Sequence, residues 1–336
     1  MTRWFVGKLV YRATWLGFKL GRLAVRIVPR QWLFACSDAL ANVGFALSRG
    51  FRLKSISNIV AAMSDRFDGG TARAAVRRSL RNFFRACVEM TIALESSESQ
   101  LRSEMPIAGR EHLDAALAKG NGVIILSAHL GNFFLVGTRL AIEGYPVHVL
   151  VSPPRDPRFA ELMDDVRLQV WQQTIRARPR RAALKELHAV LRCNEIAVVI
   201  ADEYKNGHGI PAPLFGGIVS ARRGPATLAL RTRAAIVPAL LVRQADDGLK
   251  LIIEPELELA RSDKSKDEVR ERTLLMTRWL ERTVQAYPDQ WNWTNIECKT
   301  ARVWDRPPKR TSFNDSLTSS GKGNRGEHQQ ERFRGT

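Results

Sequence analysis

The chain has 336 residues, 45% of them hydrophobic, and a formal net charge of +18 from 52 Lys and Arg against 34 Asp and Glu. That length fits one large domain or two ordinary ones, with enough apolar sequence for a sizeable core. Four scattered cysteines (Cys36, Cys87, Cys193, Cys298) form no C-x-x-C pair, which argues for a reduced, cytosolic chain and against a disulfide framework or zinc site.

The first 54 residues hold ten basic side chains and one acid, Asp38, which is half of the net charge. Such an excess favours a polyanionic partner: an anionic membrane, nucleic acid or an acidic carrier protein. Lys8, Arg12, Lys19, Arg22, Arg26 and Arg30 interrupt the apolar residues. No run of about 18 uncharged residues survives there to span a bilayer. Interleaved Trp4, Phe5, Trp15, Leu16 and Phe18 suit a basic amphipathic helix lying in a membrane interface. Residues 1–100 read as helical, with a second helix at 34–48 and a third at 72–95.

Beyond residue 100 the rhythm changes. Short apolar runs at 122–127, 146–152, 196–201, 235–242 and 249–254 read as strands. Helical stretches at 110–119, 132–143, 157–174, 180–192, 222–233 and 264–286 lie between or after them. This alternation predicts an α/β fold with a mainly parallel central sheet flanked by helices. The last two strands, joined through Ala245-Asp246-Asp247-Gly248, read as an antiparallel hairpin. Residues 305–336 are polar and read as a disordered tail. The predicted organisation is a membrane-associating helical region at 1–100, an α/β catalytic domain at 101–304 and the tail.

Candidate chemistry gathers where strands end, the usual place for ligands in α/β sheets. The strand at 122–127 runs into Ala128-His129-Leu130-Gly131-Asn132, a turn with one histidine. His129 there can act as a general base on an alcohol. Helical residues five apart lie about 140° out of phase, so His129 must sit in the turn if it is to face position 134. The strand at 196–200 ends in Asp202-Glu203. If it runs parallel to 122–127, both ends share one rim and a carboxylate can meet His129. Arg222 and Arg223, near a helix start after the glycine-rich Leu214-Phe215-Gly216-Gly217, are anion-binding candidates. Arg167 is another. Trp291-Asn292-Trp293 reads as core or interface packing. No H-E-x-x-H, Walker A or G-x-G-x-x-G pattern is present, no metal or bound cofactor is implied, and no nucleic-acid recognition motif accompanies the charge.

The order of these blocks resembles the lysophospholipid acyltransferase superfamily, in the branch of the lipid A late acyltransferases and phosphatidylinositol-mannoside acyltransferases. The stretch from Ser127 to Gly137 is similar to that family's H-x-G-N-x-D/E block. Val199 to Glu203 resembles its strand ending in an acid. Pro213 to Arg243 resembles its F-F-G and G-A-x-x-V-P block, and Tyr287 to Trp293 its P-E-Q-W-x-W motif. The four blocks span about half of the chain.

The resemblance implies an O-acyltransferase at the cytoplasmic face of the inner membrane. Its base would deprotonate a glycolipid or lysolipid hydroxyl, which attacks the thioester of acyl carrier protein or coenzyme A. His129 matches the base. Phe134 stands where the family has its H-x-x-x-x-D/E acid, and Thr294-Asn295 follow Trp293 where the family usually has His and Arg. Two readings follow. Glu203 or Asp202 replaces the lost acid, or catalysis is lost and the protein is a lipid-binding relative. On the first reading, Gly131, Asn132, Phe133 and Phe134 line the substrate site, the two phenylalanines as acyl-groove wall. Arg167, Arg222 and Arg223 would bind phosphates of acceptor or donor.

Overall fold

The computed structural model describes residues 2–204, 209–258, 267–294 and 296. The tail expected at 305–336 lies outside them. The first hundred residues form α1 (Thr2–Ile27), α2 (Arg30–Leu47), α3 (Arg49–Ala62), α4 (Gly69–Ala93) and α5 (Glu98–Glu104). Pro29 separates the first two, at a position where proline leads into a helix. Asp68 caps α4: its Oδ1 accepts the Thr71 N–H at 2.7 Å, and Thr71 Oγ1 accepts the Asp68 N–H at 2.9 Å. The helix expected at 34–48 starts earlier, and α3 was not anticipated.

Part of the N-terminal charge is paired with acids. Arg22 and Arg26 both bond Glu95, at 2.5 and 2.7 Å, and Arg30 bonds Glu104 at 2.7 Å. Large apolar side chains are exposed beside the exposed Arg12, Lys19 and Arg26: Trp15, Leu16, Leu20, Leu23 and Ile27 on α1, and Trp32, Leu40, Val43 and Leu47 on α2. No helix among the described residues is long and apolar enough to cross a membrane.

The rest alternates strands and helices, with β1, β4, β6 and β7 beyond the five strands expected: β1 (Ile107–Ala108), α6 (Arg110–Leu117), β2 (Val123–Ser127), α7 (Val136–Ala141), β3 (Val147–Val151), α8 (Pro157–Gln169), β4 (Gln173–Arg176), α9 (Arg180–Arg192), β5 (Ile196–Ile200), β6 (Ile210–Leu214), β7 (Gly217–Ala221), α10 (Gly224–Thr232), β8 (Ala235–Arg243), β9 (Leu249–Ile253) and α11 (Glu268–Ala286). The main sheet has seven strands in the order β1-β9-β8-β2-β5-β3-β4. Strands β8, β2, β5, β3 and β4 are mutually parallel. β9 returns antiparallel to β8, which is the expected hairpin, and β1 runs parallel to β9.

Both faces of the sheet are covered, so its central strands are apolar on both sides. Ile124, Leu126, Ala197 and Val199 share one core with Phe45, Ile59, Ala72, Trp279 and Trp291. Val123, Ile125, Ile196 and Val198 face the other, with Leu113, Leu135 and Leu140. Burying each such aliphatic side chain is worth about 1.5–3 kcal/mol. A one-residue slip of β2 would exchange its two faces, so the packing holds its register. That register sets Ser127 opposite Ile200. His129 and Asp202 therefore leave their strands side by side, on one rim.

Three local expectations change. The helix predicted for 132–143 begins only at Val136, because residues 131–135 turn. The helix predicted for 157–174 stops at Gln169; Trp171, at φ 60°, reverses the chain into β4. The glycine-rich 214–217 is the tip of the β6–β7 hairpin. Its two turn residues, Phe215 and Gly216, have φ of 51° and 70°, the left-handed pair of a tight hairpin. Pro211 and Pro213 lack ladder donors and suit this separate ribbon better than the main sheet.

Candidate active site

β2 delivers Ala128 and His129 to the rim, and the chain must then turn away. Gly131 makes this possible at φ 61°: a Cβ there would lie 2.2 Å from the Leu241 carbonyl oxygen. The Asn132 N–H donates to that same oxygen at 2.8 Å. The Asn132 side chain is buried, and its Nδ2 donates to Glu89 Oε2 at 2.8 Å. Glu89 Oε1 is in turn 2.8 Å from Arg243 Nη2. Burial pushes the Glu89 carboxyl above its usual range, while Arg243 and Asn132 pull against that shift. Gly131 and Asn132, expected at the substrate, thus shape and brace the turn.

The rim holds a complete dyad. His129 Nδ1 lies 2.7 Å from Asp202 Oδ1, and the His129 backbone N–H donates to Asp202 Oδ2 at 2.8 Å. The Asp202 side chain is 1% exposed and that of His129 25% exposed. With Nδ1 held by the carboxylate, Nε2 is the nitrogen that can take a proton from a substrate. Among the two acids anticipated there, Asp202 meets the histidine. Glu203, the next residue, turns to Arg222, whose Nη2 and Nε reach its Oε2 at 3.1 Å and its backbone oxygen at 3.0 Å.

A third donor completes the carboxylate's environment. The buried Trp291 Nε1–H donates to Asp202 Oδ2 at 2.8 Å. Trp291 was expected to pack; it packs and also donates, as a buried indole N–H must to avoid being stranded. Its segment forms an antiparallel bridge to Leu130. The Gly131 N–H donates to Gln290 O at 3.0 Å, and the Asn292 N–H to His129 O at 3.2 Å. The helices fix this segment from behind. Ser79 Oγ donates to Trp291 O at 2.5 Å, and Asn58 Nδ2 to Trp293 O at 2.7 Å. The Phe215 ring closes the group against Trp291 and Trp293, at 6.2 and 5.9 Å between centroids.

Phe133 stands edge-on to the His129 ring at 4.9 Å, and Phe134 lies 4.2 Å beyond it. Phe134 then meets Phe83 of α4 at 6.0 Å. The family acid's position is thus part of an aromatic row running from the histidine to the exposed Phe83. Arg222 borders a small cavity with Ser127, Asp202, Tyr204 and Thr277. Burial and the nearby Asp202 charge push the Tyr204 phenol above its usual range, so it stays neutral. Arg223 is exposed and holds the N-cap position of α10. Arg167 is engaged by Asp164 at 3.1 Å, within the α8–β4 unit, and shares that acid with Arg176. Among the described residues, no group of His, Cys, Asp and Glu could hold a metal ion.

A histidine–carboxylate pair on a sheet rim beside an aromatic row has the geometry that activation of a hydroxyl requires on an α/β fold. Residues 3–300 match the family described as bacterial lipid A biosynthesis acyltransferase, and the chain belongs to it. It is an acyltransferase of that family. It is 25% identical to a phosphatidylinositol mannoside acyltransferase of Mycolicibacterium smegmatis over 65% of this chain and 70% of the relative. It is 30% identical to the Mycobacterium tuberculosis protein of the same description, over 39% of this chain and 42% of the relative. It is 23% identical to the Escherichia coli lipid A biosynthesis palmitoleoyltransferase, over 68% and 72% respectively.

Proposed function

We propose that the protein moves a fatty acyl chain from a thioester of acyl carrier protein or coenzyme A to a hydroxyl of a glycolipid or lysolipid. The 2.7 Å contact between His129 Nδ1 and Asp202 Oδ1 carries this reading. Nε2 of His129 takes the acceptor hydroxyl's proton as its oxygen attacks the thioester carbonyl. The tetrahedral intermediate collapses, the C–S bond breaks, and the imidazolium returns the proton to the leaving thiolate. Asp202 holds the ring and stabilises its charged form throughout, the part an acid plays in a base triad. The rival reading, lipid binding without turnover, rested on the missing acid at position 134; Asp202 fills that role from the neighbouring strand.

Phe133 and Phe134 would form the wall along which the acyl chain lies, with Arg222 and Arg223 near the acceptor's phosphate. The exposed apolar face of α1 and α2 supports residence on a membrane, with the remaining basic residues drawn to anionic lipid. Thioester donors are cytosolic, so the active side is the cytoplasmic face of the inner membrane.

The test is transfer of a labelled acyl chain from both thioesters to a panel of lysophospholipid, lipid A-precursor and phosphatidylinositol-mannoside acceptors. A labelled lipid formed by wild type and absent with His129→Ala supports the proposal. No product above that control with any acceptor refutes it.

A further inference from the structure

The buried face of α4 is mostly small and apolar, with Ala72, Ala75, Val76, Ala86 and Ile92, and Glu89 breaks that pattern. Its carboxylate faces the Arg243 guanidinium of β8 at 2.8 Å, and both side chains are buried. Two charges taken out of water are costly, and well-packed apolar groups of the same volume often hold a fold as well or better. No step of the acyl transfer described above uses either group.

The pair's other bonds lead mainly to the two segments that hold His129. Glu89 Oε2 accepts from Asn132 Nδ2 at 2.8 Å. The other end of that amide, Oδ1, is buried and has no hydrogen-bond partner among the described residues, so Glu89 alone orients the Asn132 side chain. Arg243 bonds Gln290 twice through its backbone. Its N–H donates to Gln290 Oε1 at 2.9 Å, and its carbonyl oxygen accepts from Gln290 Nε2 at 2.8 Å. Arg243 Nε donates to Asn82 Oδ1 at 3.2 Å, and Asn82 Nδ2 donates to Asp289 O at 3.0 Å. The turn after His129 is thus gripped from α4 through Asn132, and from β8 through the segment whose Gln290 O accepts the Gly131 N–H.

Resting on the acyl-transfer reading above, we infer that Glu89 and Arg243 are positioning residues for that reaction: as one buried pair they fix the Asn132 amide and the Gln290 segment, and so hold the turn that aims His129 Nε2. Both act through the turn and not on the reacting atoms. A reacting group needs such support, because a misplacement of about 1 Å can cost about a hundredfold in rate. What the site requires is one carboxylate facing one amide beside Arg243, whichever residue supplies which.

The experiment exchanges the two. Asn132→Asp sets two carboxyl groups against each other, which cannot both stay ionised. Glu89→Gln leaves the Arg243 charge without its counter-ion. The double variant Asn132→Asp/Glu89→Gln restores one amide facing one carboxylate. Folding is followed by thermal unfolding, and two readings are taken. The first needs no substrate: the ring nitrogen spectrum of isotope-labelled histidine, in which His129 is the signal lost in His129→Ala. At mildly alkaline pH the expected result is one Nδ1-protonated form in wild type and in the double variant, and a mixed or broadened signal in each single variant. The second is kcat in the transfer assay above. It is expected to fall about ten- to a hundredfold in each single variant with KM nearly unchanged, and to recover to within about fivefold of wild type in the double. Losses that add in the double variant, or single variants with the wild-type ring signal, overturn the inference. If a single variant unfolds, Asn132→Ser, which leaves the Glu89–Arg243 pair whole, must show the same mixed signal; an unchanged one overturns the inference. Absent transfer by wild type refutes the proposed function instead, and the ring spectrum still decides this point.

Discussion

Trp291 Nε1 donates to Asp202 Oδ2 at 2.8 Å, across 89 residues of sequence. The C-terminal segment therefore touches the dyad's acid directly, and the helices that pin this segment act on the site through it.

Trp291→Phe removes one donor from an ionised acceptor, a bond worth about 1.5–3 kcal/mol. The expected result is a kcat lowered about tenfold or more at neutral pH. A variant that loses stability but keeps the wild-type kcat would show Trp291 to be packing alone.

Restoring the family acid should not help. Phe134→Glu places a carboxylate among Phe83 and Phe133, while His129 Nδ1 is already held by Asp202. Transfer falls below wild type, and the double variant Asp202→Asn/Phe134→Glu stays as inactive as Asp202→Asn. Recovery in the double variant would place the working acid at 134 after all.

Gly131→Ala tests the turn. At φ 61° a Cβ meets the Leu241 carbonyl oxygen at 2.2 Å, so the backbone must move. Strain of this kind costs about 1–3 kcal/mol. A lower thermal midpoint and reduced kcat are expected together, because the same backbone aims His129. Wild-type values of both would mean that the turn tolerates a side chain.

Much of this was legible in the sequence. Apolar runs in alternation gave the parallel sheet, and parallel β2 and β5 brought His129 to an acid on one rim. Which acid could not be read. Asp202 and Glu203 are adjacent, and adjacent residues of extended chain face opposite sides, so a difference of one residue sends Glu203 to Arg222 instead. β4 was hidden because Trp171 ends α8 without a Gly or Pro to mark the break. The β6–β7 hairpin was hidden because Phe215, a poor left-handed residue by composition, takes that conformation with its ring packed on Trp291 and Trp293. Trp291 itself carried one usable signal, a buried indole N–H that needs an acceptor. Nothing local named Asp202 as that acceptor.

On the proposed mechanism, Asp202 on the neighbouring strand works with His129 in place of an acid at position 134. Single-turnover acyl transfer by Asp202→Asn and Glu203→Gln, beside wild type, tests it most directly. The expected result is a loss of about 10⁴ in rate for Asp202→Asn with a folded protein, and a rate within about fivefold of wild type for Glu203→Gln, as for an exposed ion pair. Full transfer by Asp202→Asn, or collapse in Glu203→Gln alone, would contradict it.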